Sequence, residues 1–129
     1  MNDLLIDTHV LLWWQLDDER LSAVAREVLT DEGRRAFVSA ASAYEIAMKS
    51  ARGHLHLPSP ASRWFPRRIR DNGFMVLAVS SRHALRAGSL PPIHGDPFDR
   101  LLVAQAREER LTILTADPAI ARYDVETIW

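Results

Sequence analysis

Four short apolar runs divide this chain, and each is followed at once by polar residues and then by apolar residues at helical spacing. The runs are residues 4–6, 36–39, 75–79 and 111–115, and a fifth, 125–129, reads as a final edge strand. A run this short with apolar residues on both faces is the pattern of a strand covered from both sides. Between the runs, residues 9–16, 21–30, 39–49, 60–72, 80–87 and 96–109 carry helical spacing. Strands that return through helices become parallel neighbours, joined by right-handed crossovers. The expectation is an α/β three-layer sandwich, with a mainly parallel central sheet flanked by helices.

At 129 residues the chain is expected to form a single domain over residues 1–129. Hydrophobic residues make up 47%, enough to bury a core. There is no cysteine, which excludes disulfides, zinc–thiolate sites and a thiol nucleophile. The first residues have no basic segment before an apolar run, so no signal peptide is expected. No stretch approaches the roughly 20 apolar residues of a membrane span. A cytoplasmic protein without membrane contact is therefore expected.

Several local signals qualify this outline. Ser22 is the expected cap of the second helix, and either Ser39 or Ser42 of the third. Pro66 falls inside residues 60–72 and should break or kink that helix. Trp13 and Trp14 are adjacent, so one is expected at the surface or in a partner interface. His54 and His56 alternate with Leu55 and Leu57, which directs both imidazoles to solvent or to phosphate.

Acidic residues recur where helices begin. Asp96 precedes Pro97, the pattern of an N-cap with proline at the first helical position, and Asp99 falls in the first turn. Asp117 precedes Pro118 and also reads as a cap. Asp7 ends the first strand, where open parallel sheets place ligands, but Asp7 or Thr8 could equally cap the next helix. If Ser39 caps, Glu45 lies well inside its helix, and a surface pair with Lys49 is the plain alternative. Together, Asp7, Glu45, Asp99 and Asp117 can reach one crevice at the carboxyl end of the sheet.

Four clustered carboxylates repel one another, and a divalent cation relieves that repulsion. Oxygen ligands, no cysteine and no clear histidine pair favour Mg²⁺ or Mn²⁺ over Zn²⁺. Such a site suits phosphodiester hydrolysis, with Thr8, Thr115 or Ser39 orienting a carboxylate or a water. Residues 50–95 hold seven arginines against one acid, a net of +6, while both ends of the chain are acidic. That basic middle could hold a phosphate backbone. Its helix, with Trp64, Phe65, Arg67 and Arg68, would also suit a protein partner or a solvated face.

Four segments, taken in order, resemble successive motifs of PIN-domain proteins, in particular the VapC-type toxins of bacterial toxin–antitoxin pairs. They are residues 5–13 (Leu5-Ile6-Asp7-Thr8-His9 onward), 42–49 around Glu45 with 53–58, 94–106 (His94-Gly95-Asp96-Pro97-Phe98-Asp99-Arg100 onward) and 114–117 (Leu114-Thr115-Ala116-Asp117). The resemblance implies a PIN fold and Mg²⁺- or Mn²⁺-dependent endoribonuclease activity. It implies a catalytic and metal-binding quartet of Asp7, Glu45, Asp99 and Asp117, with Thr8, Asp96 and Thr115 in support. It also implies a homodimer, an RNA substrate such as transfer RNA, and a cognate VapB-type antitoxin whose C-terminal segment fills a groove at the active site. Trp13, Trp14, Trp64 and Phe65 are the candidates for that groove, and Arg67, Arg68 and Arg100 for RNA contact. Gly95 stands where a bulkier, often basic residue is frequent, which bears on substrate contacts.

Two other functions are weighed beside this one. The chain could be a non-catalytic binding module that acts with its antitoxin as an operon co-repressor. It could instead form an aspartyl-phosphate, but that chemistry asks for an acid two residues after the nucleophile, where His9 stands. A receiver domain asks for a late lysine, and the single lysine is Lys49.

Overall fold

A computed structural model of the protein describes residues 2–129. Its elements are β1 (Leu4–Ile6), α1 (Thr8–Leu16), α2 (Ala23–Leu29), β2 (Ala36–Ser39), α3 (Ala40–Ala51), α4 (Ala61–Asp71), β3 (Met75–Leu77), α5 (Ser81–Ser89), α6 (Pro97–Glu109), β4 (Thr112–Leu114), α7 (Pro118–Ala121) and β5 (Thr127–Ile128). The five strands form one sheet in the order β3-β2-β1-β4-β5, and every pair is parallel. The expected α/β sandwich with a parallel sheet is what the chain adopts.

β1 lies at the centre of the sheet and shows why short strands suffice. Leu4 and Ile6 enter one hydrophobic cluster, with Val10, Leu11, Ile46, Trp64, Phe65 and Ile69. Leu5 points the other way, into a second cluster with Leu102, Val103, Ile113 and Ile120. All three β1 residues are essentially inaccessible. Burial of each such side chain contributes about 1.5–3 kcal/mol. The period-two alternation of a strand thus serves two cores, one on each face of the sheet.

Three local expectations are corrected. α4 runs unbroken through Pro66. The proline ring costs that helix one backbone hydrogen bond, on its exposed side, while buried Trp64, Phe65 and Ile69 anchor the turns before and after it. Neither Trp13 nor Trp14 stands free, because both pack half-buried against the first cluster, and Trp14 Nε1 donates to Asn72 Oδ1 at 2.8 Å. β3 and β5 are shorter than their apolar runs, since they pair only over Met75–Leu77 and Thr127–Ile128.

Glycine closes α3 and α4 in the same way. After α4, the Gly73 N–H donates to the Arg70 carbonyl at 3.1 Å and the Phe74 N–H to the Ile69 carbonyl at 3.0 Å. After α3, Gly53 and His54 repeat the pattern onto Ser50 and Lys49. Gly53 and Gly73 take positive φ, +73° and +68° respectively, as this Schellman closure requires. No atom lies within 4 Å of where a Cβ would stand on either, so substitution meets only the backbone penalty. Gly53→Ala and Gly73→Ala should each cost about 1 kcal/mol in chemical denaturation. Gly88→Ala, in the exposed last turn of α5, should be neutral or stabilising. Equal effects at all three would show that the two turns carry no strain.

Candidate active site

β1, β2 and β4 are parallel neighbours, so Asp7, Ser39 and Thr115 leave the sheet along the same edge. Asp7 occupies the N-cap position of α1, yet its side chain makes no capping hydrogen bond. Its carboxylate is buried and turned to other partners: Oδ2 accepts from Thr115 Oγ1 at 2.7 Å. Oδ1 is buried with no hydrogen-bond partner, and His9 Nδ1 lies 4.0 Å from it. Thr115 Oγ1 in turn accepts from the Asp117 backbone N–H at 3.0 Å, tying both acids to the end of β4. Thr8 does not cap either; its hydroxyl donates to Ser42 Oγ at 2.7 Å and joins α1 to α3.

Ser39, rather than Ser42, caps α3, accepting from the Ala41 N–H at 3.0 Å. That start carries Glu45 to a buried position on α3. The pair with Lys49 exists, Nζ to Oε2 at 2.7 Å, but its carboxylate is inside the protein rather than on a solvated face. Asp96 caps α6, its Oδ1 accepting from the Phe98 and Asp99 N–H groups at 2.8 and 3.3 Å. Asp99 is freed from capping and lies buried in the first turn. Asp117 does both jobs, since Oδ1 caps α7 through the Ala119 N–H at 2.8 Å while Oδ2 faces the site.

His94 joins the last two acids. Its Nε2 lies 3.0 Å from Asp99 Oδ2 and 3.1 Å from Asp117 Oδ2. Among the described residues, His94, Asp99 and Asp117 form a group whose donor atoms lie within 4.8 Å of one another. His94 has no second histidine beside it in the sequence to mark it as a site residue. The available signal was its place ahead of Gly95 and the Asp96 cap, where a loop folds back over the start of its own helix.

The electrostatics follow from burial. Desolvation pushes the Asp7 carboxyl above the usual range and the Glu45 charge adds to it, while the hydrogen bond from Thr115, the His9 imidazole and the His9 backbone N–H, which faces the carboxylate outside hydrogen-bond geometry, oppose it. Asp99 is pushed up to about 7, first by burial, then by the charges of Asp7 and Asp96, with His94 opposing and Glu45 adding. Three acids of the quartet therefore act on one another. A buried carboxylate oxygen without a donor, among acids that repel, is a donor set suited to a hard cation.

The other expected site residues divide. Arg100, expected at the RNA, is half-buried with its guanidinium engaged by the protein. Its Nη1 and Nη2 donate to the Pro91, Ala87 and Leu90 carbonyls at 2.8–3.0 Å, so it is a strut for the loop that carries His94. Arg67 is exposed, and Arg68 pairs with Asp71 at 2.8 Å. Trp64 and Phe65 are core residues with 8% exposure each, which removes them from any groove. Trp13 packs on His9, at 6.2 Å between ring centroids, and on Trp129 at 5.7 Å, with the Arg20 guanidinium 5.0 Å from its ring. His54 and His56 are exposed and Leu55 and Leu57 half-buried, as their alternation implies.

The model of the family described as PIN domain matches residues 4–126. Ribonuclease VapC22 of Mycobacterium tuberculosis (strain ATCC 25618 / H37Rv) is 31% identical over 120 residues, covering 91% of this chain and 88% of that protein. Among solved structures, VapBC2 from Rickettsia felis bound to a DNA fragment from their promoter aligns with a TM-score of 0.68 at 13% identity, covering 97% of this chain and 96% of that one. A toxin–antitoxin complex from Klebsiella pneumoniae aligns at 0.68 and 17% identity, covering 98% and 97%. At those identities the two structures report a shared fold.

The raised Asp99 carboxyl carries a stability signature. The folded chain holds a proton there that the unfolded chain releases near its ordinary value of 3.8. The stabilisation is complete below that value and is lost as pH rises through about 7. The melting temperature of the metal-free protein should therefore fall between pH 5 and pH 8, and Asp99→Asn should flatten the slope. An unchanged slope in that variant would assign the dependence to other groups.

Proposed function

The chain belongs to the PIN-domain family, and on that premise we propose that it is a metal-dependent endoribonuclease of the VapC type, built as one domain over residues 1–129. The observation that carries the reading is the buried, unpartnered Oδ1 of Asp7 beside Asp99 and Glu45. Asp7, Glu45, Asp99 and Asp117 are the catalytic acids in this reading and would hold Mg²⁺ or Mn²⁺. When bound, the ion supplies a more acidic water and neutralises charge gathering on the phosphate.

The protein's own groups prepare that chemistry. Thr115 fixes Asp7 through one oxygen and leaves the other free. Lys49 orients Glu45 and offsets part of its charge. Asp96 takes the backbone donors at the start of α6, so Asp99 need not. Asp7 and Glu45 thus enter the site already held by a neighbour, and Asp99 enters it free of capping.

The relative named above is a ribonuclease, and the solved neighbours include VapBC and toxin–antitoxin complexes. We extend to this chain a VapB-type antitoxin that occupies the active-site groove and inhibits it, a homodimeric assembly, and action in the cytoplasm on RNA such as transfer RNA. Of the four aromatic candidates, half-buried Trp13, which packs on His9, and its neighbour Trp14 remain the candidates for that groove. No helix among the described residues is long and apolar enough to cross a membrane. A second reading, co-repression of an operon together with the antitoxin, draws on the Rickettsia complex having been bound to promoter DNA.

The direct test is incubation of the antitoxin-free chain with total RNA of its own host, with Mg²⁺, with Mn²⁺ and with EDTA. Cutting should need the metal and fall by about 100-fold or more in Asp7→Ala. A folded protein that cuts nothing under either metal would favour the co-repressor.

Phosphate contact is tested separately. Arg67 is exposed and Arg68 is engaged by Asp71, so Arg67→Ala should lower the slope of log affinity against log salt by about 0.7, the value for one single-strand phosphate contact, and Arg68→Ala by less. Equal slopes in native and Arg67→Ala protein would move the RNA path off α4.

A further inference from the structure

The quartet treats Asp117 as an equal partner of Asp7 and Asp99, but the hydrogen bonds around His94 divide the four acids. The Asp96 backbone N–H points at His94 Nδ1 across 3.2 Å. A backbone N–H can only donate, so Nδ1 offers its lone pair and the ring N–H stands on Nε2. Nε2 is the atom that lies 3.0 and 3.1 Å from the Oδ2 atoms of Asp99 and Asp117. A nitrogen that carries a proton has no lone pair for a cation. Histidines that do bind metal usually donate their other N–H to an acceptor, and here the other nitrogen faces a donor.

The oxygens tell the same story. Asp117 has both occupied, Oδ1 by the Ala119 N–H and Oδ2 by His94. Asp99 contacts His94 through Oδ2, and Asp7 contacts Thr115 through Oδ2. Asp7 Oδ1 is buried and unpartnered, and the Asp7 charge acts directly on Asp99. The histidine is also fixed from behind: its N–H donates to Tyr123 Oη at 2.9 Å, and Arg100 Nη1 reaches its carbonyl at 3.4 Å.

We infer that His94 is a positioning residue that donates its Nε2–H to Asp117, lies against Asp99, and stays outside the ligand set of the cation. The cation would then be held by Asp7, Asp99 and Glu45, and Asp117, grouped with them above, would act on the site through His94. This rests on the metal-site reading above. The rival arrangement, in which Nε2 and the two Oδ2 atoms form the ligand set, needs the ring proton on Nδ1, head-on to the Asp96 N–H.

Long-range proton–nitrogen NMR of ¹⁵N-labelled protein reads which ring nitrogen holds the proton, with His94→Gln identifying the signal among the five histidines. The inference expects the proton on Nε2 both without metal and at saturating Mg²⁺. A proton on Nδ1, or its transfer to Nδ1 as Mg²⁺ is added, overturns it. The readout needs no RNA, so a protein that binds Mg²⁺ as expected but cuts nothing would fail the nuclease reading alone. No Mg²⁺ binding by calorimetry would overturn the metal reading and the cation half of this inference together.

A second arm uses variants of the full chain. Gln at position 94 can donate from nearly the same place, so His94→Gln should keep Mg²⁺ affinity within about threefold of native, while His94→Ala should lose about tenfold. Equal losses in both, with melting temperatures unchanged, would overturn the donor role.

Discussion

The hydrogen bond from Thr115 Oγ1 to Asp7 Oδ2 is the contact on which the site depends. It is buried and spans 108 positions of chain. A carboxylate at the centre of a sandwich is costly to desolvate, and one hydrogen bond of this kind offsets only part of that cost. It can exist because β1 and β4 are adjacent parallel strands in register, Ile6 beside Leu114, which delivers the next residues of both to the same edge. The Thr115 hydroxyl engages one oxygen and leaves the second without a donor. A fold that buries a charge and leaves half of it unmet holds free energy that ligand binding can release.

The rest of the architecture keeps that arrangement in place. The two hydrophobic clusters clamp β1 from both faces, so Asp7 cannot move toward water without uncovering Leu4, Leu5 and Ile6. The helices approach with their backbone donors already served: Ser39 for α3, Asp96 for α6, Asp117 for α7. Arg100 extends the same logic to a loop. Its guanidinium satisfies three carbonyls around the end of α5 and holds the segment that carries His94.

Much of this was legible in the sequence because it is written locally. Apolar runs, serine and aspartate caps and prolines after caps report backbone states that depend on a few neighbours, and the strands and helices follow them closely. The acids were legible for a related reason: strand ends and first turns are positions that a parallel topology gathers at one edge. What escaped depends on contacts distant in sequence. Pro66 reads as a breaker until Trp64, Phe65 and Ile69 anchor the helix on both sides of it. Those same aromatics read as a docking surface until the core is seen to enclose them. Arg100 reads as a phosphate ligand until the α5 carbonyls appear beside it. His94 reads as a lone histidine until Asp117, 23 positions on, is brought to its ring.

Charge placement answers the question of how an acidic site can receive a polyanion. The net +6 of residues 50–95 is not spread evenly once the ion pairs are drawn. Arg82 and Arg86 both meet Glu108, and Arg68 and Arg70 lie against Asp71. The exposed arginines of that segment outside these pairs are Arg52, Arg63 and Arg67, from the end of α3 to the middle of α4. α3 packs against α4, and α3 carries Glu45 into the site. The unbalanced positive charge and the buried acids are therefore linked through one helix. A Debye length near 8 Å at physiological salt confines the attraction of exposed arginines to phosphates that pass close to them. The same limit shields those phosphates from the more distant carboxylates. The protein can thus be nearly neutral overall and still present a local positive approach to a negative centre.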